Sequence, residues 1–204
     1  TGNTTYGLVF GEAAQYVQPN GIAYRNGVVA VAAQLYGTAD FGKGAISSTS
    51  YDGVVFTIDD ATKTTKWVAQ LAGAASDSFR SVAIDPWGEV VAAGTYGETN
   101  ASAQIGAQAL PQTSIDVGGM VRAKWDASGT LLWSHGYVPT LNGGGPPYTT
   151  YDAGNVPNHI YPARVQTTST GQIVVTGEMT GGADFGTGYQ GQLSTYAYPH
   201  CTCG

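Results

Sequence analysis

Apolar residues along this chain fall in short runs separated by glycine, asparagine, aspartate and threonine, and no run sustains a helical period. Continuous apolar stretches at 28–33 and 173–175 suit strands buried on both faces. Three strand pairs are predicted. Residues 22–24 turn through Asn26-Gly27 into 28–33, residues 81–84 through Pro86-Trp87-Gly88 into 90–94, and residues 163–167 through Thr170-Gly171 into 173–177.

The same stretches repeat. Residues 27–44 (GVVAVAAQLYGTADFGKG) align without a gap on 171–188 (GQIVVTGEMTGGADFGTG), and both contain Ala-Asp-Phe-Gly. Residues 88–97 (GEVVAAGTYG) supply a third copy, with Ile105-Gly106 where the others have Phe-Gly. A second element, 53–67 (GVVFTIDDATKTTKW), aligns without a gap on 119–133 (GMVRAKWDASGTLLW), matching Asp60-Ala61 with Asp126-Ala127 and Trp67 with Trp133. This order predicts an all-β chain of β-propeller-like units of about four antiparallel strands and roughly 60–80 residues each. The expected division is a leading strand at 1–11, unit one at 12–71, unit two at 72–137, and a partial third unit at 138–204 with a loop insertion at 139–159. About three units fall short of the four or more blades a closed ring needs, so an incomplete propeller or pairing through open sheet edges is expected.

Composition agrees with strands and turns: 11% of residues are charged, against 30 glycines and 13 tyrosines in 204. A net charge of −6, with 8 lysines and arginines and no basic run, argues against a nucleic-acid partner. No apolar stretch is long enough for a membrane-spanning helix. The first residue is threonine, and with scarce lysine and abundant Thr, Ser, Gly and Tyr it favours a processed secreted product or a trimmed fragment. Two cysteines, both near the C-terminus, cannot staple the body of the fold.

Candidate chemistry is sparse. The insertion at 139–159 brings Tyr148, Tyr151 and Asp152 together, aromatic faces and a carboxylate suited to a protein or carbohydrate ligand, or else a merely decorative loop. His200, Cys201 and Cys203 offer at most three soft metal ligands; a tight disulfide or contact with a partner explains the two thiols equally well. Asn3 and Asn100 head N-glycosylation triplets. Residues 186–191 spell G-x-G-x-x-G, a dinucleotide signature only where a helix follows; a repeat turn is the simpler reading. Asp59-Asp60 reads as a solvated turn, and the isolated histidines His135 and His159 as structural. No cofactor is expected.

The ordered pair of elements resembles the bacterial seven-bladed β-propeller (SBBP-type) repeat family. Its carriers are Asp40-Phe41-Gly42, Asp184-Phe185-Gly186, the segments 54–67 and 120–133, and Asp77 between units. The resemblance implies a secreted or cell-surface protein and contributes no catalytic residues. The expected function is therefore a binding or adhesion module, with a subunit polymerising by strand exchange as the alternative and a secreted hydrolase as the weaker third.

Overall fold

The computed structural model describes residues 7–10, 16–97, 102–113, 118–139, 159–180, 182–185 and 189–191, and among them there is no helix. The strands are β1 (Tyr16–Arg25), β2 (Val28–Asp40), β3 (Ala45–Asp59), β4 (Thr64–Gly73), β5 (Ser78–Ile84), β6 (Val90–Tyr96), β7 (Ala103–Ile105), β8 (Gln108–Ala109), β9 (Gly119–Trp125), β10 (Leu131–Tyr137), β11 (His159–Thr167), β12 (Ile173–Thr180), β13 (Gly182–Asp184) and β14 (Tyr189–Gly191). The first sheet is β1-β2-β3-β4-β7-β8, the second β10-β9-β6-β5, the third β11-β12, and β13-β14 forms a separate hairpin. Among the described residues all strand pairs are antiparallel, with one isolated parallel bridge between Gly118 and His159, and none of the sheets closes into a barrel. The all-β, propeller-like repeat architecture read from the sequence is the one observed.

Repetition extends to irregularities. The opening strand of each sheet carries a β-bulge at the same point, between Pro19 and Gly21, Phe79 and Ser81, and Pro162 and Arg164. An extra residue there bends the strand and sharpens its twist. Each opening hairpin then turns where the sequence places it. Asn26 and Gly27 both adopt left-handed φ values, 49° and 78°, as a two-residue hairpin turn of the I′ type requires.

Alternation along the strands divides the core. Ala30, Ala32, Val55, Trp67 and Leu71 of the first sheet pack against Phe79, Val82, Val90, Ala92, Val121 and Trp125 of the second. The opposite face of the second sheet, through Ala83, Val91, Ala93 and Trp133, packs on Val165, Ile173 and Val175 of the third. Three sheets are thus stacked face to face, and the tryptophan closing each four-stranded meander faces the sheet that follows. Trp67 meets Trp125 with ring centroids 5.9 Å apart.

Structure and ungapped alignment part company at the second hairpin. Val31 pairs with Phe56 and its counterpart Ala92 pairs with Ala123, so Phe56 corresponds to Ala123, one position away from where residue 53 aligned on residue 119 puts it. A slip of one residue exchanges the two faces of a strand. The difference is absorbed in the turn, where Asp59 rather than Asp60 is the counterpart of Asp126. Asp59 Oδ1 accepts from the amides of Ala61 and Thr62, each at 2.9 Å, as Asp126 Oδ1 accepts from Ser128 and Thr130 at 2.8 and 2.9 Å. Asp60 instead pairs with Lys63 at 2.7 Å.

The hairpin β7-β8 crosses between sheets: Ile105 of the second repeat pairs with Leu71 at the end of the first sheet. Of the predicted leading strand, residues 7–10 are described and lie outside any strand, while Phe10 packs on the outer face of the first sheet.

Candidate functional site

The side chains with the most chemistry converge where β11 and β12 lie over β9. A cleft of about 380 Å³ opens there, between Met120 and Arg122 on one wall and Ile160, Tyr161, Val175 and Glu178 on the other, with Phe185 at one end. The sequence builds it by alternation: β9 buries Met120 and sends half-buried Arg122 out beside it, while β12 buries its apolar positions less completely than any central strand. Volumes of this order accommodate a small ligand or an inserted side chain.

Electrostatics concentrate at one edge of the cleft. The Arg122 guanidinium lies 4.8 Å from the Tyr137 ring centroid and donates to the Tyr137 hydroxyl, leaving its buried Nε without a partner among the described residues. A guanidinium held against an aromatic face keeps its planar fork available to a carboxylate or carbonyl. His159 stacks on Tyr161 at 4.3 Å, and its Nε2 is 3.3 Å from Glu178 Oε1. Arg80 stands 5.2 Å from the same Tyr161 ring. Apolar walls, a cation with spare hydrogen-bonding capacity and an exposed carboxylate can orient a ligand that is apolar at one end and polar at the other. Among the described residues no group of three His, Cys, Asp or Glu side chains could hold a metal ion.

A second charged cluster is structural. Asp85 Oδ2 lies 2.9 Å from Lys124 Nζ, and Asp85 Oδ1 accepts from the amides of Trp87 and Glu89, each at 2.9 Å. Burial pulls the Asp85 carboxyl upward, but the Lys124 ammonium and these amides outweigh it and hold its pKa below the ordinary value. Burial likewise works against the charge on Lys124, and Glu89 and Asp85 outweigh it, raising the lysine. Asp85 Oδ1 thus closes a turn of the second sheet, and Oδ2 pairs that turn with Lys124 of β9.

Tyr148, Tyr151, Asp152, His200, Cys201, Cys203, Asn3 and Asn100 all lie outside the described residues. Within the G-x-G-x-x-G stretch, Tyr189–Gly191 is a strand paired with Gly182–Asp184, not the helix a pyrophosphate site needs. Asp40 of the Asp-Phe-Gly motif closes its loop by accepting from the amides of Gly42, Lys43 and Gly44 at 2.6, 3.1 and 3.1 Å, which occupies it structurally. Sequence reasoning missed Arg122, Tyr161 and Glu178. The available signal was that Arg122 and Glu178 interrupt strands otherwise dominated by apolar residues.

No helix of the described residues is long and apolar enough to cross a membrane. No protein-family model matches the chain, and no curated protein matches its sequence.

Proposed function

We propose that the protein is a binding module of a secreted or cell-surface protein, and that it takes a polypeptide ligand in the cleft between β9 and the β11–β12 hairpin. The observation that carries this reading is the Arg122 guanidinium, held 4.8 Å from the Tyr137 ring centroid in the lining of a cleft whose other walls are mostly apolar. An acidic side chain or a terminal carboxylate next to an aliphatic or aromatic residue satisfies both features, the charge by pairing with the guanidinium and the apolar group by burial. Tyr161 and Phe185 supply rigid aromatic surface, which gains contact area at small entropic cost. Resemblance to bacterial surface propeller repeats supports the same compartment.

The test is a peptide array carrying acidic-aromatic and acidic-aliphatic pairs beside neutral controls, probed with wild type, Arg122→Gln and Tyr161→Ala. Retention of acidic peptides by wild type, lost in Arg122→Gln and weakened in Tyr161→Ala, supports the reading. Equal retention by all three proteins, or binding confined to a parallel glycan array, refutes it.

A further inference from the structure

Structural correspondence between the sheets shows what each face is for. With Val29 of β2 matched to Val90 of β6 and Ile173 of β12, the bulged opening strands match Ile22 to Val82 and to Val165. Val82 is 5% exposed against the first sheet and Val165 is 2% exposed against the second. Their counterpart Ile22 is 74% exposed. Tyr24, counterpart of the buried Ile84, is exposed as well. The first sheet therefore presents, on its outer face, the apolar set with which each later sheet docks on the one before.

The opposite end shows the complementary half. Ala30 of β2 and Val91 of β6 face the following sheet and are fully buried, in the clusters that contain Val82 and Val165 respectively. Val174, at the same place in β12, is 49% exposed. Ala30 and Val82 share one buried cluster and Val91 and Val165 another, whereas their counterparts Val174 and Ile22 are exposed.

A third observation places the remaining strand. Leu71 pairs with Ile105 where the first and second sheets meet, and Tyr137 lies 5.2 Å from Phe185 where the second and third meet. Phe41 is the counterpart of Ile105 and Phe185, and its ring lies 5.0 Å from Phe56 of its own sheet and 6.0 Å from Phe10, which also meets Phe56 at 5.1 Å. Phe10 stands where the fourth strand of a preceding sheet would stand. The rest of that face is a groove of about 530 Å³ lined by Val17, Ile22, Val31, Phe41 and Phe56.

From these three correspondences we infer that the outer face of the first sheet is a docking surface for a second copy of this chain, whose β11–β12 sheet stacks on it head to tail. Val174 of one copy packs on Ile22 of the other, continuing the spacing of the two internal interfaces, and the Phe10 segment supplies the missing fourth-strand position. Such a contact joins unlike surfaces, so repetition gives a closed ring or a filament. It is separate from the ligand cleft and uses sheet faces, not strand exchange at edges.

Sedimentation equilibrium of the whole chain tests the contact. Wild type is expected at twice the chain mass or more, increasing with concentration, and Ile22→Glu and Val174→Glu each return it to monomer with the unfolding midpoint of wild type diluted until it too is monomeric. With Cys201 and Cys203 replaced by serine, mixed Ile22→Cys and Val174→Cys chains are expected to form a disulfide-linked pair under mild oxidant. Ile22→Cys mixed with Thr62→Cys is the control. Monomeric wild type at every concentration, association surviving both glutamates, or cross-linking no greater than the control overturns the inference.

Discussion

Arg25 and Thr167, from the first and third sheets, donate to one and the same acceptor, the main-chain carbonyl of Ile84, at 3.0 and 3.1 Å. Ile84 ends β5, the edge strand of the middle sheet. Edge strands expose unpaired backbone groups that invite foreign strands. Here the neighbours on both sides consume one.

Because either donor alone keeps that carbonyl satisfied, the two substitutions should be non-additive. Arg25→Met or Thr167→Val is expected to cost about 1 kcal/mol, whereas the pair costs more than the sum by on the order of 1 kcal/mol, since a buried acceptor is then left bare. Urea unfolding of the four proteins measures the coupling, and strict additivity would count against a shared acceptor.

Acid should weaken the protein through Asp85. Its folded pKa is held below the unfolded value of roughly 3.9, so its contribution is whole above that pH and is lost as pH falls through the folded value. Asp85→Asn is expected to be less stable than wild type at neutral pH by about 1–2 kcal/mol, because Lys124 loses its buried partner but keeps Glu89. The gap between the two proteins narrows in acid. Unfolding midpoints followed across the acidic range check both the size and the sign.

Two glycines with similar backbone conformations should respond differently to alanine. Gly27 (φ 78°) has open space around its Cβ position, so Gly27→Ala carries only the conformational cost, about 1 kcal/mol. Gly129 (φ 90°) would place its Cβ 2.5 Å from Trp67 Cγ, pushing the second sheet's turn off the first sheet's tryptophan. Gly129→Ala is therefore expected to cost at least about twice as much as Gly27→Ala, with a change in tryptophan emission that Gly27→Ala does not show.

Asp40→Ala removes the acceptor for three amides and should destabilise by about 1–2 kcal/mol, whereas Asp40→Asn retains a carbonyl oxygen and loses less. Thermal unfolding of both variants distinguishes a loop-closing carboxylate from one that binds a ligand.

Much of this fold is legible in the chain because its repeats are punctuated by residues with one backbone use. Asn26-Gly27 can hardly be anything but a tight turn, and the opening hairpins follow from it. What sequence alone misplaces is the face of β3. Two aspartates stand side by side at 59 and 60, a single one at 126, and nothing in the letters says which of the pair organises the turn; the backbone bonds to Asp59 do. The cleft at Arg122 was illegible for another reason. Its walls are remote in sequence, and their approach depends on how the third sheet settles across β9.

The bulge recurring in β1, β5 and β11 has a consequence for how such a chain can change over time. Each unit carries its own bend within its first strand, so the angle at which it meets its neighbour is written locally. Whole units can then be gained or lost by duplication or deletion of a gene segment without resetting the geometry of the units that remain.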